Sequence, residues 1–253
     1  PILGSGNHFF EVCLDERDVV WVVLHSGSRG VGKELAEHHI AVARGLMKRW
    51  WIELDDPDLA YLVQGTPEFT AYIDDMLWAQ AYARANRDQM MDAALEGLFA
   101  FVGAGREVGR VNCHHNFTQR EHHHGRNVWV TRKGAIQAGA DDLGVIPGSM
   151  GSRSYIVRGL GNPASYCSGS YGAGRRLSRG EATRRYSGDD LRRAMAGRVW
   201  QEGNADDLVD ESPMAYKDID EVMAAQADLV EVVHTLHQVL NYKGVESSRR
   251  KKK

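Results

Sequence analysis

The sequence predicts an α+β fold, and three observations lead there. Residues 9–14 and 18–24 are rich in β-branched and aromatic side chains and read as buried strands. Between Phe69 and Phe101, Ile73, Met76, Leu77, Met90, Met91, Ala94, Leu95 and Leu98 recur at helical spacing. Strands and helices then alternate without a regular βαβ repeat, linkers or internal repeats. The expectation is one compact domain over residues 1–253, with strands and helices around a central cleft.

The elements follow in order. "DERD" at 15–18 supplies a hairpin turn between the first two strands. "HSGSRGVG" is a loop, and residues 31–49 read as a helix. Residues 50–68, with Pro57 and Pro67, read as an irregular insertion. The apolar stripe at 69–101 predicts a core helix. "EVGRVNCHHNF" (107–117) and "NVWVTRKGAI" (127–136) predict strands. "PGSMGSRSYIVRGL" predicts a glycine-serine loop running into a strand. Helices are expected at about 178–186, 188–197 and 218–240. "SRGE" at Ser178–Glu181 has the form of a capping box.

Composition narrows the classes. An apolar fraction of 43% suffices for a packed core. A formal net charge of -3 excludes a uniformly basic nucleic-acid coat, yet the charge is uneven. Eight arginines face three acids between Tyr171 and Trp200, and residues 202–231 turn acidic. Cys13, Cys113 and Cys167 are too few and scattered for a disulfide framework, which points to a reducing, cytoplasmic setting. No apolar run approaches the roughly 18 residues of a membrane span. The chain opens inside a motif, "PILGSGNHFFEV", as a fragment would. Residues 245–253 read as a solvated, disordered basic tail.

Histidine carries the first chemical signal. His8 in "GSGNHFFE", His25 in "LHSGSRG", and His114 and His115 in "NCHHNF" lie at strand ends or in loops beside small residues. Three imidazoles from distant segments can converge on one metal; each can equally be a hydrogen-bonded structural histidine. "REHHHGRN" (His122, His123, His124) reads as a solvated turn. His38 and His39 read as surface residues of a helix. His234 and His237 fall on an expected helix without a third partner.

Phosphate is the second signal. "GSGN", "HSGSRG", "PGSMGSRS" and "GSYGAGRR" expose backbone N–H groups and admit a phosphate closely. Arg29, Arg153, Arg175 and Arg176 add charge-assisted donors. None of these loops matches the P-loop or the dinucleotide fingerprint. Alternation along "NHFFEV" puts Asn7 and Glu11 on one face and His8 on the other. Glu11 reads either as a nucleotide contact or as an ordinary surface acid. Histidines beside phosphate loops also allow a metallohydrolase of phosphate esters.

Taken together in this order, "GSGNHFFEV", "HSGSRG", "NCHHNF", "RKGA", "PGSMGSRSY", "GAGRRLSR" and "YKG" make the chain resemble the RtcB family of GTP-dependent RNA ligases. In that family a histidine attacks the α-phosphate of GTP, GMP passes to an RNA 3′-phosphate, and a 5′-hydroxyl attacks the activated end with help from manganese. The resemblance implies Mn2+ ligands at His8, His25 and His115. It implies guanine-nucleotide contacts at Asn7, His8, Glu11, His115, Asn116, Pro147, Gly148, Ser149, Met150, Ser154, Tyr171, Gly172, Ala173, Gly174 and Lys243. It also implies RNA as partner (tRNA halves or cleaved RNA), an archease-type activator, and no membrane. Two departures stand out. The family's N-terminal aspartate and cysteine, which complete the metal site, precede the point where this sequence begins. The family's nucleophilic histidine corresponds to Tyr171, whose phenol has an ordinary pKa of about 10 against about 6.5 for imidazole. Tyr171 is then a slower guanylyl acceptor, a binding residue, or the mark of a catalytically silent nucleotide- and RNA-binding branch.

Overall fold

The computed structural model describes Leu3 and residues 7–244. The basic tail at 245–253 and Gly4, Ser5 and Gly6 of the "GSGN" loop lie outside the described residues. Strands and helices are mixed, as the α+β expectation requires. The chain groups into two compact units, one of Gly27–Met90 and one of Pro1–Ser26 with Met91–Lys253.

Strands β1 (Phe9–Leu14) and β2 (Val20–His25) come first, then helix α1 (Val31–Arg49). A short 3-10 turn at Pro57–Leu59 precedes α2 (Pro67–Val102). There follow β3 (Asn116–His123), β4 (Arg126–Lys133), β5 (Ala135–Gln137), β6 (Leu143–Ile146), β7 (Ser154–Gly159) and β8 (Ser168–Ser170). Helices α3 (Arg179–Arg185) and α4 (Gly188–Ala194), strand β9 (Val199–Trp200), helix α5 (Ile219–Ala224) and strand β10 (Val230–Lys243) complete the order.

The larger unit is built on a sheet of order β2-β1-β10-β7-β6, with β9 added parallel to β10. The β1–β2 turn closes on Asp15. Its Oδ1 accepts from the Arg17 and Val19 amides at 2.8 and 3.0 Å, and its Oδ2 from Trp21 Nε1 at 3.0 Å. Phe9, Cys13, Val23, Ile156 and Leu236 pack into one core cluster. A second cluster gathers Ile136, Ile146, Tyr155, Val157, Ala173, Ile219 and Met223 around β5, β7 and α5. Both short helices start on serine caps. The Ser178 side chain accepts from the Glu181 amide, and Ser187 forms a full capping box with Asp190.

Strand β10 corrects the helix expected over 218–240: α5 stops at Ala224 and the rest is sheet. Leu229, Val233, Leu236 and Leu240 mimic helical spacing. The register shows why strand alternation is hidden. Pairing with β7 skips Val233, and pairing with β1 skips Val239. Each bulge flips which side chains face inward. Residues 107–115 are likewise not a strand; regular structure resumes at Asn116. Strands β6 and β9 lack a sequence signal strong enough to predict them.

The Gly27–Met90 unit holds α1 and the first turns of α2. His39, expected on the surface, is buried, and its Nε2 lies 2.8 Å from Asp75 Oδ2. The apolar stripe of α2 is not a core stripe: Ile73 and Ala83 are the buried residues, and Leu77 and Trp78 are exposed.

Leu236 is fully buried beneath β10, whereas Val239 sits exposed at a bulge. Leu236→Ala is expected to cost about 2–5 kcal/mol in urea unfolding. Val239→Ala should cost less than about 1 kcal/mol.

Candidate functional site

Four rings from four segments meet in the larger unit. His25 ends β2 opposite Phe9, and His8 immediately precedes Phe9. His115 immediately precedes β3, and Tyr171 immediately follows β8. The His25 ring stands edge-on to His8 at 5.8 Å, to His115 at 4.8 Å and to Tyr171 at 5.5 Å between centroids. His115 and Tyr171 stack face to face at 3.8 Å and 10°. Chain distance is bridged by backbone bonds. The Ala135 amide donates to the His115 carbonyl at 3.2 Å, and the Tyr171 amide donates to the Gly134 carbonyl at 3.0 Å. Gly134 takes φ 67°, a left-handed conformation suited to glycine, and its amide donates to Asn116 Oδ1 at 2.9 Å. Asn116 therefore holds the turn that aligns His115 with Tyr171.

This donor set suits a nitrogen-preferring divalent cation. His25 is buried, and the neighbouring Ser26 Oγ is buried without a hydrogen-bond partner. Among the described residues, the group whose ligand atoms lie within 4.8 Å of one another is a different one, Asp15, Glu16 and His234. Its oxygens are already used. Besides the turn bonds of Asp15, Glu16 Oε1 meets His234 Nδ1 at 2.8 Å and Oε2 accepts from the Thr235 amide at 3.2 Å. His234, expected on a helix, instead staples the β1–β2 hairpin to β10.

The two described glycine-serine loops of the larger unit lie against each other. A Cβ on Gly172 would come within 3.0 Å of the Pro147 carbonyl oxygen, and one on Gly148 would collide with the Arg153 carbonyl. The Gly148 amide donates to Ser154 Oγ at 3.3 Å, and the Ser149 and Ser152 hydroxyls lie 2.7 Å apart. Gly174 takes φ 70° with open space on its Cβ side. The Met150 and Ala173 side chains belong to core clusters, so what they offer a ligand is backbone. Arg175 is not an available phosphate donor. It donates to the Leu177 and Asp210 carbonyls at 3.0 and 2.6 Å and to the Tyr216 hydroxyl at 3.0 Å. Arg153 pairs with Asp220 at 3.1 Å. Arg29, at φ 55°, belongs to the Gly27–Met90 unit.

Glu11 is no surface acid: only 3% of it is exposed. Its Oε1 accepts from Gln238 Nε2 at 2.9 Å and Asn241 Nδ2 at 2.7 Å, while its Oε2 is buried with no partner. Burial pushes its carboxyl up to about 8, against the Lys243 ammonium and the bonds from Asn241 and Gln238. Lys243, also buried, pairs directly with Glu211. Burial would raise the Glu211 carboxyl, but Lys243, Arg179 and the Tyr216 hydroxyl outweigh it and hold it low. Glu211, Gln238, Asn241 and Tyr216 escape a sequence reading. Glu211 is one acid in an acidic stretch, and the others acquire meaning only when the register sets them beside Glu11 and Lys243. The histidine turn also needs correction. His123 is largely buried, its Nε2 2.6 Å from Glu121, which also pairs with buried Arg132.

The family model for the tRNA-splicing ligase RtcB matches residues 1–244. The chain is 48% identical over 248 residues to the RNA-splicing ligase RtcB of Escherichia coli (strain K12), covering 96% of this chain and 60% of that protein. It is 34% identical over 257 residues to the RNA-splicing ligase RtcB of Mycobacterium tuberculosis (strain ATCC 25618 / H37Rv), covering 88% and 59%. It is 31% identical over 264 residues to the tRNA-splicing ligase RtcB of Pyrobaculum aerophilum, covering 88% and 54%. The chain thus spans about 60% or less of the length of these relatives. Among the described residues, no helix is long and apolar enough to cross a membrane.

Because the folded Glu11 binds its proton more tightly than the unfolded chain, its contribution to stability is whole below about 4.5 and is lost as pH rises through about 8. Glu11→Gln should therefore gain stability over the parent chain as pH rises across that window. Thermal melts of both proteins from pH 5 to 9 check it; a constant difference contradicts it.

Proposed function

Since the chain belongs to the RtcB family of tRNA-splicing ligases, we propose that it works as an RNA ligase of that type. It would join an RNA 3′-phosphate or 2′,3′-cyclic phosphate to a 5′-hydroxyl using GTP and Mn2+. The observation that carries this reading is the meeting of His8, His25, His115 and Tyr171 beside two glycine-serine loops and a buried acceptor on Glu11. Manganese, held by His8, His25 and His115, would neutralise charge on the phosphates. RNA, as tRNA halves or cleaved RNA, is the substrate, an archease-type protein is the expected activator, and the setting is cytoplasmic.

The chain's own residues divide the work. Glu11 Oε2, buried without a partner, would meet the N–H edge of guanine, which supplies the donors a buried carboxylate needs. Gln238 and Asn241 fix the other Glu11 oxygen, so the acceptor points one way. The loop backbones at 147–150 and 172–174 would take the phosphates, with Ser154 setting the first loop through the Gly148 amide. Lys243, Ser149 and Asn7 complete the nucleotide contacts.

Tyr171 occupies the position of the attacking group. Its oxygen would bond to the α-phosphorus of GTP, releasing pyrophosphate and losing the phenolic proton to solvent. A 2′,3′-cyclic phosphate would first add water across its P–O2′ bond to give the 3′-phosphate and a 2′-hydroxyl. The 3′-phosphate oxygen would then displace tyrosine and take up GMP, and the RNA 5′-hydroxyl would displace GMP to form the phosphodiester. A phenol is a weaker nucleophile near neutral pH than an imidazole. The flat stack of Tyr171 on His115 favours a second reading, in which the ring only walls the nucleotide pocket and no covalent transfer occurs.

Incubation with α-labelled GTP and Mn2+, followed by denaturing electrophoresis, separates these readings. The ligase reading expects acid-stable label on the parent chain, accumulating more slowly than the acid-labile label on Tyr171→His. Label on Tyr171→His alone supports nucleotide binding without transfer. No label on either rejects the covalent step.

A further inference from the structure

A pocket of about 740 Å³ opens in the larger unit beside the glycine-serine loops. It is a size that accepts a nucleotide-sized ligand rather than one small ion. Its charges come from separate segments. Arg153 continues the loop that starts at Pro147, Arg176 lies just beyond Gly174, Arg198 precedes β9, and Lys217 precedes α5. Asp220 and Asp218 are the opposing acids, and both are engaged. Asp220 is paired with Arg153 and takes the Tyr155 hydroxyl, while Asp218 accepts from the Asp220 amide at 2.8 Å. Among the described residues, Arg176, Arg198 and Lys217 are left without a carboxylate partner. Arg198 carries the strongest sign of a missing ligand. Its NH1 group donates to the Ala196 carbonyl at 3.2 Å, but its Nε is buried with no acceptor. A buried guanidinium N–H without an acceptor is costly, and a phosphate oxygen is the acceptor it suits best.

We propose that this pocket binds the sugar-phosphate backbone of single-stranded RNA, holding the strand whose end reaches the neighbouring nucleotide loops. This rests on the ligase reading for the identity of the strand. Gln238 is common to this pocket and to the support of Glu11, but none of the residues assigned to direct guanine-nucleotide or metal contact lines the pocket. Several cations spread round one cavity match a run of phosphates better than a single anion. Phosphate contacts of this kind weaken with salt and ignore base sequence.

Fluorescence anisotropy of the full chain with a short labelled single-stranded RNA, without GTP or metal, tests this. Replacing Arg198→Gln and Lys217→Gln together should weaken binding about tenfold at ~0.1 M salt, equally for unrelated sequences. The slope of log affinity against log salt should fall by about 1.4, roughly 0.7 for each lost contact. Arg198→Lys with Lys217→Arg should keep most of the affinity. The stabilisation by GTP in thermal melts should match the parent chain in both pairs. If Arg198→Gln perturbs folding by circular dichroism, Lys217→Gln alone, at an exposed position, should still lower the slope by about 0.7. Unchanged affinity and slope in the glutamine variants overturn the proposal. So does displacement of the RNA by inorganic phosphate at matched phosphate concentration, which would make the pocket a free-anion site. A parent chain without RNA affinity overturns it too; GTP labelling then judges the ligase reading separately.

Discussion

Strand β10 is the constraint on which the rest of the larger unit depends. Its first half pairs with β7, its second half with β1, and β9 joins on the side of Leu240 and Asn241. One chain segment therefore ties three otherwise separate parts of the sequence into a single sheet. The two bulges, at Val233 and Val239, let it do so while reversing which side chains face inward. Leu236 and Gln238 turn inward between the bulges, and Asn241 and Lys243 turn inward after the second. Apolar burial and polar burial thus share one strand. A strand of strict alternation would have sent either Gln238 or Asn241 to the opposite face.

The polar residues so placed form two buried groups, Glu11 with Gln238 and Asn241, and Lys243 with Glu211, which Arg175 and Arg179 meet from the less buried side. The two carboxylates answer burial differently. Glu211 is surrounded by cations and a phenol and stays ionised. Glu11 has two amide donors and a more distant ammonium, which do not offset desolvation, so its carboxyl rises to about 8. One is a structural counter-ion and the other an acceptor held in reserve. A ligand that brings N–H donors to Glu11 Oε2 stabilises the ionised form and relieves the cost of burying an unpartnered oxygen.

The ring cluster has a different origin. Its members are placed by strand ends and by a glycine turn. His115 and Tyr171 meet because β5 pairs with β8 and Gly134 accepts from Tyr171 while donating to Asn116. The flat stack sets an aromatic plane beside the neighbouring loops. The neighbouring loops keep their form because glycine is required by close backbone approach at 148 and 172 and by positive φ at 174.

Local sequence was enough for the short-range parts: the β1–β2 hairpin with its "DERD" turn, α1, both serine-capped helices, and the identity of the histidines and glycine loops. In each, the deciding interaction lies within a few residues, as hydrophobic periodicity, a cap or a turn bond. It was not enough wherever the partner is far along the chain. The C-terminal helix expected from apolar spacing became a strand because pairing with β7 and β1 outweighs a local period that bulges obscure. Glu11 became a buried acceptor, and Gln238, Asn241 and Glu211 became partners of Glu11 and Lys243, only through register. Arg175 is spent on the fold because a carbonyl and a phenol from distant segments claim it. Residue type and order determined the family; tertiary pairing alone decided burial, and burial decides which charges are spent on the fold and which remain for a ligand.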